Sequence, residues 1–117
     1  MNKTQLYENF DARYAKLKAT SQKKNSDYCG SDVEADPFHN FKQAPGLAKI
    51  TVEQGMIVRL SDKLSRLGSL LDPNSKGPQV SDESIEDTIN DFICYGFLLG
   101  AYRDSKVDTP PWEDNKE

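Results

Sequence analysis

Residues Thr51 to Leu71 read TVEQGMIVRLSDKLSRLGSLL, and this stretch decides the fold class. Thr51 and Gln54 match a capping box: the hydroxyl accepts from the backbone N–H three residues on, and the side chain there reaches back to the first residue's own N–H. A helix is therefore expected to begin at Thr51. Ile57, Leu60, Leu64, Leu67 and Leu71 then recur at spacings of three, four, three and four, which predicts a nearly straight apolar seam. Arg59, Asp62, Lys63 and Arg66 lie opposite or flank it. Asp72-Pro73-Asn74 closes the helix, because proline lacks the backbone donor and disfavours helical geometry in its predecessor.

On the C-terminal side, Ser75 to Gln79 reads as an exposed loop, short enough to join two helices as an antiparallel hairpin. Ser81 is a good N-cap, and Asp82, Glu83, Glu86 and Asp87 place negative charge where the helix dipole favours it. A third long helix is predicted to about Tyr102. Its apolar face is Ile85, Ile89, Phe92, Gly96 and Leu99, whereas Glu83, Asp87 and Asp91 form an acidic row one turn apart. From Phe92 to Gly100 the helix is apolar nearly all round, so other helices or a second subunit must enclose it, and a homo-oligomer is expected. Asp104 to Glu117 reads as a polar tail with Pro110-Pro111-Trp112 as its anchor.

Toward the N-terminus, Leu6, Phe10, Tyr14 and Leu17 recur at four, four and three with charged residues between them, which predicts an amphipathic helix from Thr4 to Lys24. Between Asn25 and Gly46 the pattern dissolves, although Tyr28, Phe38 and Phe41 are large groups suited to pinning this loop onto the core. Asn40 to Ala44 is expected to form a short helical turn that Pro45-Gly46 ends. The expected architecture is all-α: three long helices and a short turn, with the antiparallel hairpin at the core. It forms one helical domain over residues 1–103, with its core in 47–103 and helix 4–24 packed on it, followed by the 104–117 tail.

Composition agrees. At 117 residues and 13.2 kDa the chain supports one modest core. Leu, Ile, Val and Phe number 25, of which 18 fall between Leu47 and Leu99, so the core belongs to the second half. A net charge of -4 argues against direct duplex DNA binding, which draws on clustered basic residues releasing counterions. No run approaches the roughly 18 apolar residues of a membrane span, and Met1 to Thr20 lacks the apolar centre of a secretory signal, so a cytoplasmic location without membrane contact is expected. Cys29, Cys94 and the sole histidine, His39, fit neither a structural zinc site nor a disulfide framework.

Two clusters are candidates for chemistry. Glu83, Asp87 and Asp91 have the spacing to share a hard divalent cation such as Mg²⁺, with Asp87 and Asp91 as the catalytic pair; equally, acidic residues early in a helix answer the dipole and solvate its outer face. Asp91, in the third turn and beside Phe92, fits that second explanation less well. Arg59, Lys63 and Arg66 set two guanidinium groups and an ammonium around Asp62, a set able to grip phosphate; Asp62 bridging Arg59 and Arg66 would instead be ordinary surface pairing. If the helices pair antiparallel, the rows border one groove, with metal on one wall and phosphate donors on the other. Tyr28 and Phe41 have the chemistry to stack on a base, though aromatics that tether a loop are commoner. No Gly-rich phosphate loop, nucleophile elbow or Cys-His pair points to covalent catalysis.

Asp27-Tyr28, Asn40-Phe41, the run from Arg59 to Leu67 and the run from Asp82 to Tyr95 together resemble the nucleotide modification associated domain 1 family, a small helical domain common in bacteriophages and prophages. The resemblance covers roughly Lys23 to Leu99. It implies a phage-type protein that binds or processes a nucleotide, modified or not, in the host cytoplasm. By that resemblance Arg59, Asp62, Lys63, Arg66, Glu83, Asp87 and Asp91 stand in the family's polar motifs, with Tyr28 and Asn40 in its shorter ones. A looser similarity runs to the all-α nucleoside triphosphate pyrophosphohydrolases of MazG type, which hold Mg²⁺ with an E-x-x-E helix and an E-x-x-D helix. Glu83 and Glu86 give one E-x-x-E, but the preceding helix offers only Asp62 where a second acidic pair belongs. Three functions thus stand side by side: a Mg²⁺-dependent nucleotide pyrophosphohydrolase, a non-catalytic ligand-capture module, and an interaction protein acting through an oligomeric surface that includes Phe97, Leu98 and Trp112.

Overall fold

The computed structural model describes residues 1–79 and 84–106. Four helices make up the described chain in the order α1 (Lys3–Cys29), α2 (His39–Ala48), α3 (Val52–Leu70) and α4 (Ile85–Asp104), and no strand occurs among the described residues. No described helix is long and apolar enough to cross a membrane. By its internal contacts the chain divides into two compact units, Met1–Asn40 and Phe41–Glu117. The expected N-cap Ser81 and the tail from Val107 onward, Trp112 included, lie outside the described residues.

In the first unit, α1 begins at a full capping box: Gln5 N–H donates to Asn2 Oδ1 and Asn2 N–H to Gln5 Oε1, each over 2.8 Å. The helix continues five residues past the predicted end at Lys24 and stops at Gly30, whose φ of 90° an L side chain rarely adopts and whose N–H donates to Ser26 O. Asn25, Ser26 and Asp27 are weak helix formers, which is why the pattern reads as loop there. A local polar clamp accounts for the extension. Asn25 Nδ2 donates to Pro37 O at 2.8 Å, and the Cys29 thiol lies 3.6 Å from the same carbonyl and 3.4 Å from Asn40 Oδ1. The 30–38 segment is thereby folded back on the last turn of α1. Tyr28 consequently sits on a helix rather than in a loop and is exposed.

The second unit holds most of α2 with α3 and α4. Here the short turn expected over Asn40–Ala44 is a ten-residue helix that runs through Pro45. Pro45 is buried, and Gly55 of α3 makes room for its ring: a Cβ built on Gly55 would stand 2.5 Å from Pro45 Cγ. The helix ends instead at Lys49, whose φ of 57° is left-handed, with Ile50 N–H donating back to Pro45 O at 3.0 Å. That is the six-to-one bond of a Schellman stop, built on lysine where glycine is usual.

The Thr51 box forms as read, with Gln54 N–H donating to Thr51 Oγ1 and Thr51 N–H to Gln54 Oε1. The apolar seam does not lie where the spacing puts it. Met56 is fully buried, and Leu60 and Leu67 are half-buried, but Ile57, Leu64 and Leu71 are 52%, 59% and 61% exposed. The inward face is turned by roughly 100°, one residue's rotation, toward Glu53, Met56 and Lys63. The cause is the partner helix. α3 and α4 pack together through polar contacts: Glu53 with Arg103, Lys63 with Asp91, and Arg66 with Thr88, an order that descends α4 as it climbs α3. Among the described residues of this unit, Phe41 and Tyr102 are buried as well. On α4, Gly96, Phe97, Gly100 and Ala101 are exposed, so the described residues do not fully enclose the apolar half of that helix.

Candidate functional site

The basic residues all lie on α3, but each has a different local environment. Arg59 holds its guanidinium carbon 4.9 Å from the centre of the Phe41 ring, which stands nearly perpendicular to the Tyr95 ring at 6.1 Å between centroids. Phe41 thus acts as the tether its size suggested, joining α2 to both long helices. Lys63 Nζ lies 3.2 Å from Asp91 Oδ2, with both side chains partly buried. Arg66 Nε donates to Thr88 Oγ1 at 3.1 Å, and that hydroxyl donates in turn to Ser84 O at 3.0 Å. A buried threonine one turn into α4 therefore fixes the arginine's plane.

Asp62 does not bridge its two arginine neighbours. It is exposed and makes no hydrogen bond or ion pair with any described residue, because Arg59 turns to Phe41 and Arg66 to Thr88. Around it runs a groove of about 490 Å³ lined on α3 by Asp62, Ser65, Arg66, Ser69 and Leu70 and on the other side by the loop at Ser75 to Gln79.

α4 begins at Ile85, with Ser84 as N-cap in place of the expected Ser81. Asp87 closes this capping box: its N–H donates to Ser84 Oγ at 3.0 Å, and its Oδ2 accepts from Ser84 N–H at 3.4 Å. Of the acidic row, Asp87 and Asp91 lie on the helix, and Glu83 falls outside the described residues. Among the described residues no group of three or more His, Cys, Asp or Glu side chains is placed to hold a metal ion. The donor chemistry of Asp87 and Asp91 suits Mg²⁺, but an ammonium 3.2 Å from one of them must move aside before a divalent cation takes its place.

Tyr28 and Asn40 belong to the first unit, where Asn40 Oδ1 accepts from the Cys29 thiol. Cys29 and Cys94 are not joined in a disulfide. Two participants escaped sequence reading altogether. Glu53 is buried in the first turn of α3 and takes Arg103 Nη1 at 3.3 Å, while its Oε1 is buried with no hydrogen-bond partner among the described residues. Thr88 was hidden because a threonine inside a helix carries no pattern of its own; only the facing Arg66 gives it a role.

Comparison with protein-family models, with curated proteins and with solved structures gave no match for this chain.

Proposed function

We propose that this protein is a nucleotide-associated helical module that captures a phosphorylated small molecule along the basic side of α3, through Arg59, Lys63 and Arg66. The supporting observation is the state of Arg59. Its guanidinium is oriented by stacking on Phe41 yet forms no hydrogen bond or ion pair with any described residue. Stacking restricts the side chain in advance, so an anion arriving at its N–H edge meets a donor that has little left to lose in ordering. Arg66 stands two turns on, about 10 Å along the axis at 1.5 Å per residue, with Lys63 between them. That span suits a di- or triphosphate. The descending order of contacts between α3 and α4 supports reading them as the antiparallel hairpin, with acidic and basic rows along one seam.

Capture is the better-supported form of this function. Asp87 already serves the α4 cap and Asp91 already pairs with Lys63, so each carboxylate has a structural occupation. The hydrolytic form requires Asp87, Asp91 and Glu83 to take Mg²⁺ once a ligand phosphate draws Lys63 away. A calorimetric screen of nucleoside mono-, di- and triphosphates with and without Mg²⁺, joined to an assay for released pyrophosphate, tests both. Binding that Arg59→Ala weakens at least fivefold and Asp87→Asn leaves intact, without turnover, is expected. Absence of binding by any nucleotide removes the reading, and turnover abolished by Asp87→Asn replaces capture with hydrolysis.

The exposed α4 surface at Gly96, Phe97 and Gly100 favours a homo-oligomer as the setting for this activity, in the cytoplasm of the cell or, for a phage protein, of the host. Sedimentation velocity of the full chain is expected to show a dimer or larger species; a monomer at all concentrations would set the oligomer aside.

A further inference from the structure

Resting on the nucleotide reading above, we infer that the groove at the C-terminal end of α3 receives the sugar end of the ligand and selects a phosphorylated sugar bearing a vicinal diol, a ribonucleotide or ribose phosphate, over its 2′-deoxy counterpart. The groove measures about 490 Å³, within the roughly 300–1,000 Å³ of small-ligand sites. Its charge is divided. Arg66 lines it with its Nε held by Thr88, and Asp62, one turn earlier on the same helix, lines it with no hydrogen bond or ion pair to any described residue.

A carboxylate only accepts, so whatever fills the groove beside Asp62 must bring donors, and a phosphate placed there would be repelled. Two adjacent hydroxyls answer both carboxylate oxygens at once, leaving the anionic end of the same molecule for the arginine. Ser65 and Ser69, exposed and one turn apart on that wall, each donate and accept, which matches further sugar oxygens. The facing loop is internally braced: Gly77 N–H donates to Ser75 Oγ at 3.1 Å and Gln79 Nε2 to Gly77 O at 3.1 Å. Gly77 holds a φ of 85°, open to glycine and strained for other residues, so this wall has a defined shape.

Calorimetry of the full chain with adenosine, guanosine, cytidine and uridine 5′-monophosphates, their 2′-deoxy partners, ribose 5-phosphate and inorganic phosphate separates the possibilities. Ribonucleotides are expected to bind about tenfold more tightly than 2′-deoxynucleotides, the scale of one hydrogen bond to a charged acceptor. Asp62→Asn, at an exposed position where the helical circular dichroism should be unchanged, is expected to erase that ratio while phosphate-bearing ligands still bind. If ribose 5-phosphate matches the ribonucleotides, the sugar phosphate is the source of affinity; if it is much weaker, the base contributes. Equal binding of ribo and deoxy forms, or a ratio that survives Asp62→Asn, overturns the diol assignment and leaves phosphate capture standing. No binding by any member of the panel overturns both.

Discussion

Arg103 Nη1 donates to Glu53 Oε2 over 3.3 Å, tying the last turn of α4 to the first turn of α3, and it does so at a carboxylate whose other oxygen is buried without a partner among the described residues. The Glu53 side chain is only 9% exposed, whereas Arg103 is 39% exposed, so desolvation falls on the acid. Removing the arginine strands a buried charge, and such losses run to about 3–5 kcal/mol for a fully buried pair. With Arg103 partly in water, Arg103→Ala is expected to cost about 2–3 kcal/mol, read as a lower urea midpoint by circular dichroism. The double replacement Glu53→Met with Arg103→Met should cost less than Arg103→Ala alone, since it removes the orphaned oxygen together with its partner. A double variant no more stable than the single one would mean that the pair contributes net stability.

The passage of α2 through Pro45 depends on a missing methyl group. A Cβ at Gly55 would lie 2.5 Å from Pro45 Cγ, closer than real contacts allow, while a Cβ at Gly68 on the same helix meets nothing within 4 Å. Gly55→Ala should therefore destabilise the second unit by about 1–3 kcal/mol through overpacking. Gly68→Ala should stabilise it by about 0.5–1 kcal/mol, the ordinary gain for replacing glycine inside an exposed helix. Urea titrations of the two variants in parallel test the difference. Similar shifts for both would show that α2 and α3 yield at this contact without cost.

These two sites mark the boundary of what the sequence made legible. The capping box at Thr51 and Gln54 was readable because it is local: two side chains and two N–H groups within four residues. The burial of Glu53 was not, since its partner lies 50 residues away and a carboxylate in a first helical turn has a sufficient local explanation in the dipole. Proline read as a helix stop by the same local logic, because nothing local ties Pro45 to Gly55 on the next helix. The seam of α3 was misplaced for a related reason. Periodicity ranks residues by apolarity alone, whereas α4 offers Asp91, Thr88 and Arg103 and so draws Lys63, Arg66 and Glu53 inward while Ile57 and Leu64 turn outward. For the candidate site, the residue types on α3 were legible and their partners were not: Arg59 turned to an aromatic ring and Asp62 to nothing within the described chain.

Lys49 carries a cost that glycine would not. Its φ of 57° places an L side chain in the left-handed region, a conformation worth about 1–2 kcal/mol of strain, at the position of a Schellman stop where glycine is usual. Glycine relieves the strain but gives the unfolded chain more freedom, which returns about 0.5–1 kcal/mol. Lys49→Gly is thus expected to raise stability by about 0.5–1 kcal/mol, and Lys49→Val, β-branched at the same φ, to lower it. Thermal melts of the two variants against wild type decide the matter; loss of stability with glycine would mean that the lysine side chain, rather than the backbone, anchors this turn.

Lys63 and Asp91 form the contact on which the proposed capture and its metal-dependent alternative would make opposite demands. At 3.2 Å and partly buried on both sides, the pair should show a coupling of about 0.5–1 kcal/mol in a double-mutant cycle with Lys63→Met and Asp91→Asn, shrinking as salt rises. The same lysine neutralises the carboxylate that a cation would need. Lys63→Met leaves Asp87 and Asp91 one turn apart without the ammonium between them and a cation, so Mg²⁺ should bind this variant more tightly than wild type, visible as a larger rise in melting midpoint at equal Mg²⁺. Phosphate ligands should bind it more weakly, because the cation that met them is gone. Opposite movements of metal and phosphate affinity in one variant would show a single residue holding the two rows in balance. If Lys63→Met weakens phosphate and leaves Mg²⁺ binding unchanged, the acidic row serves the helix cap and the ion pair alone.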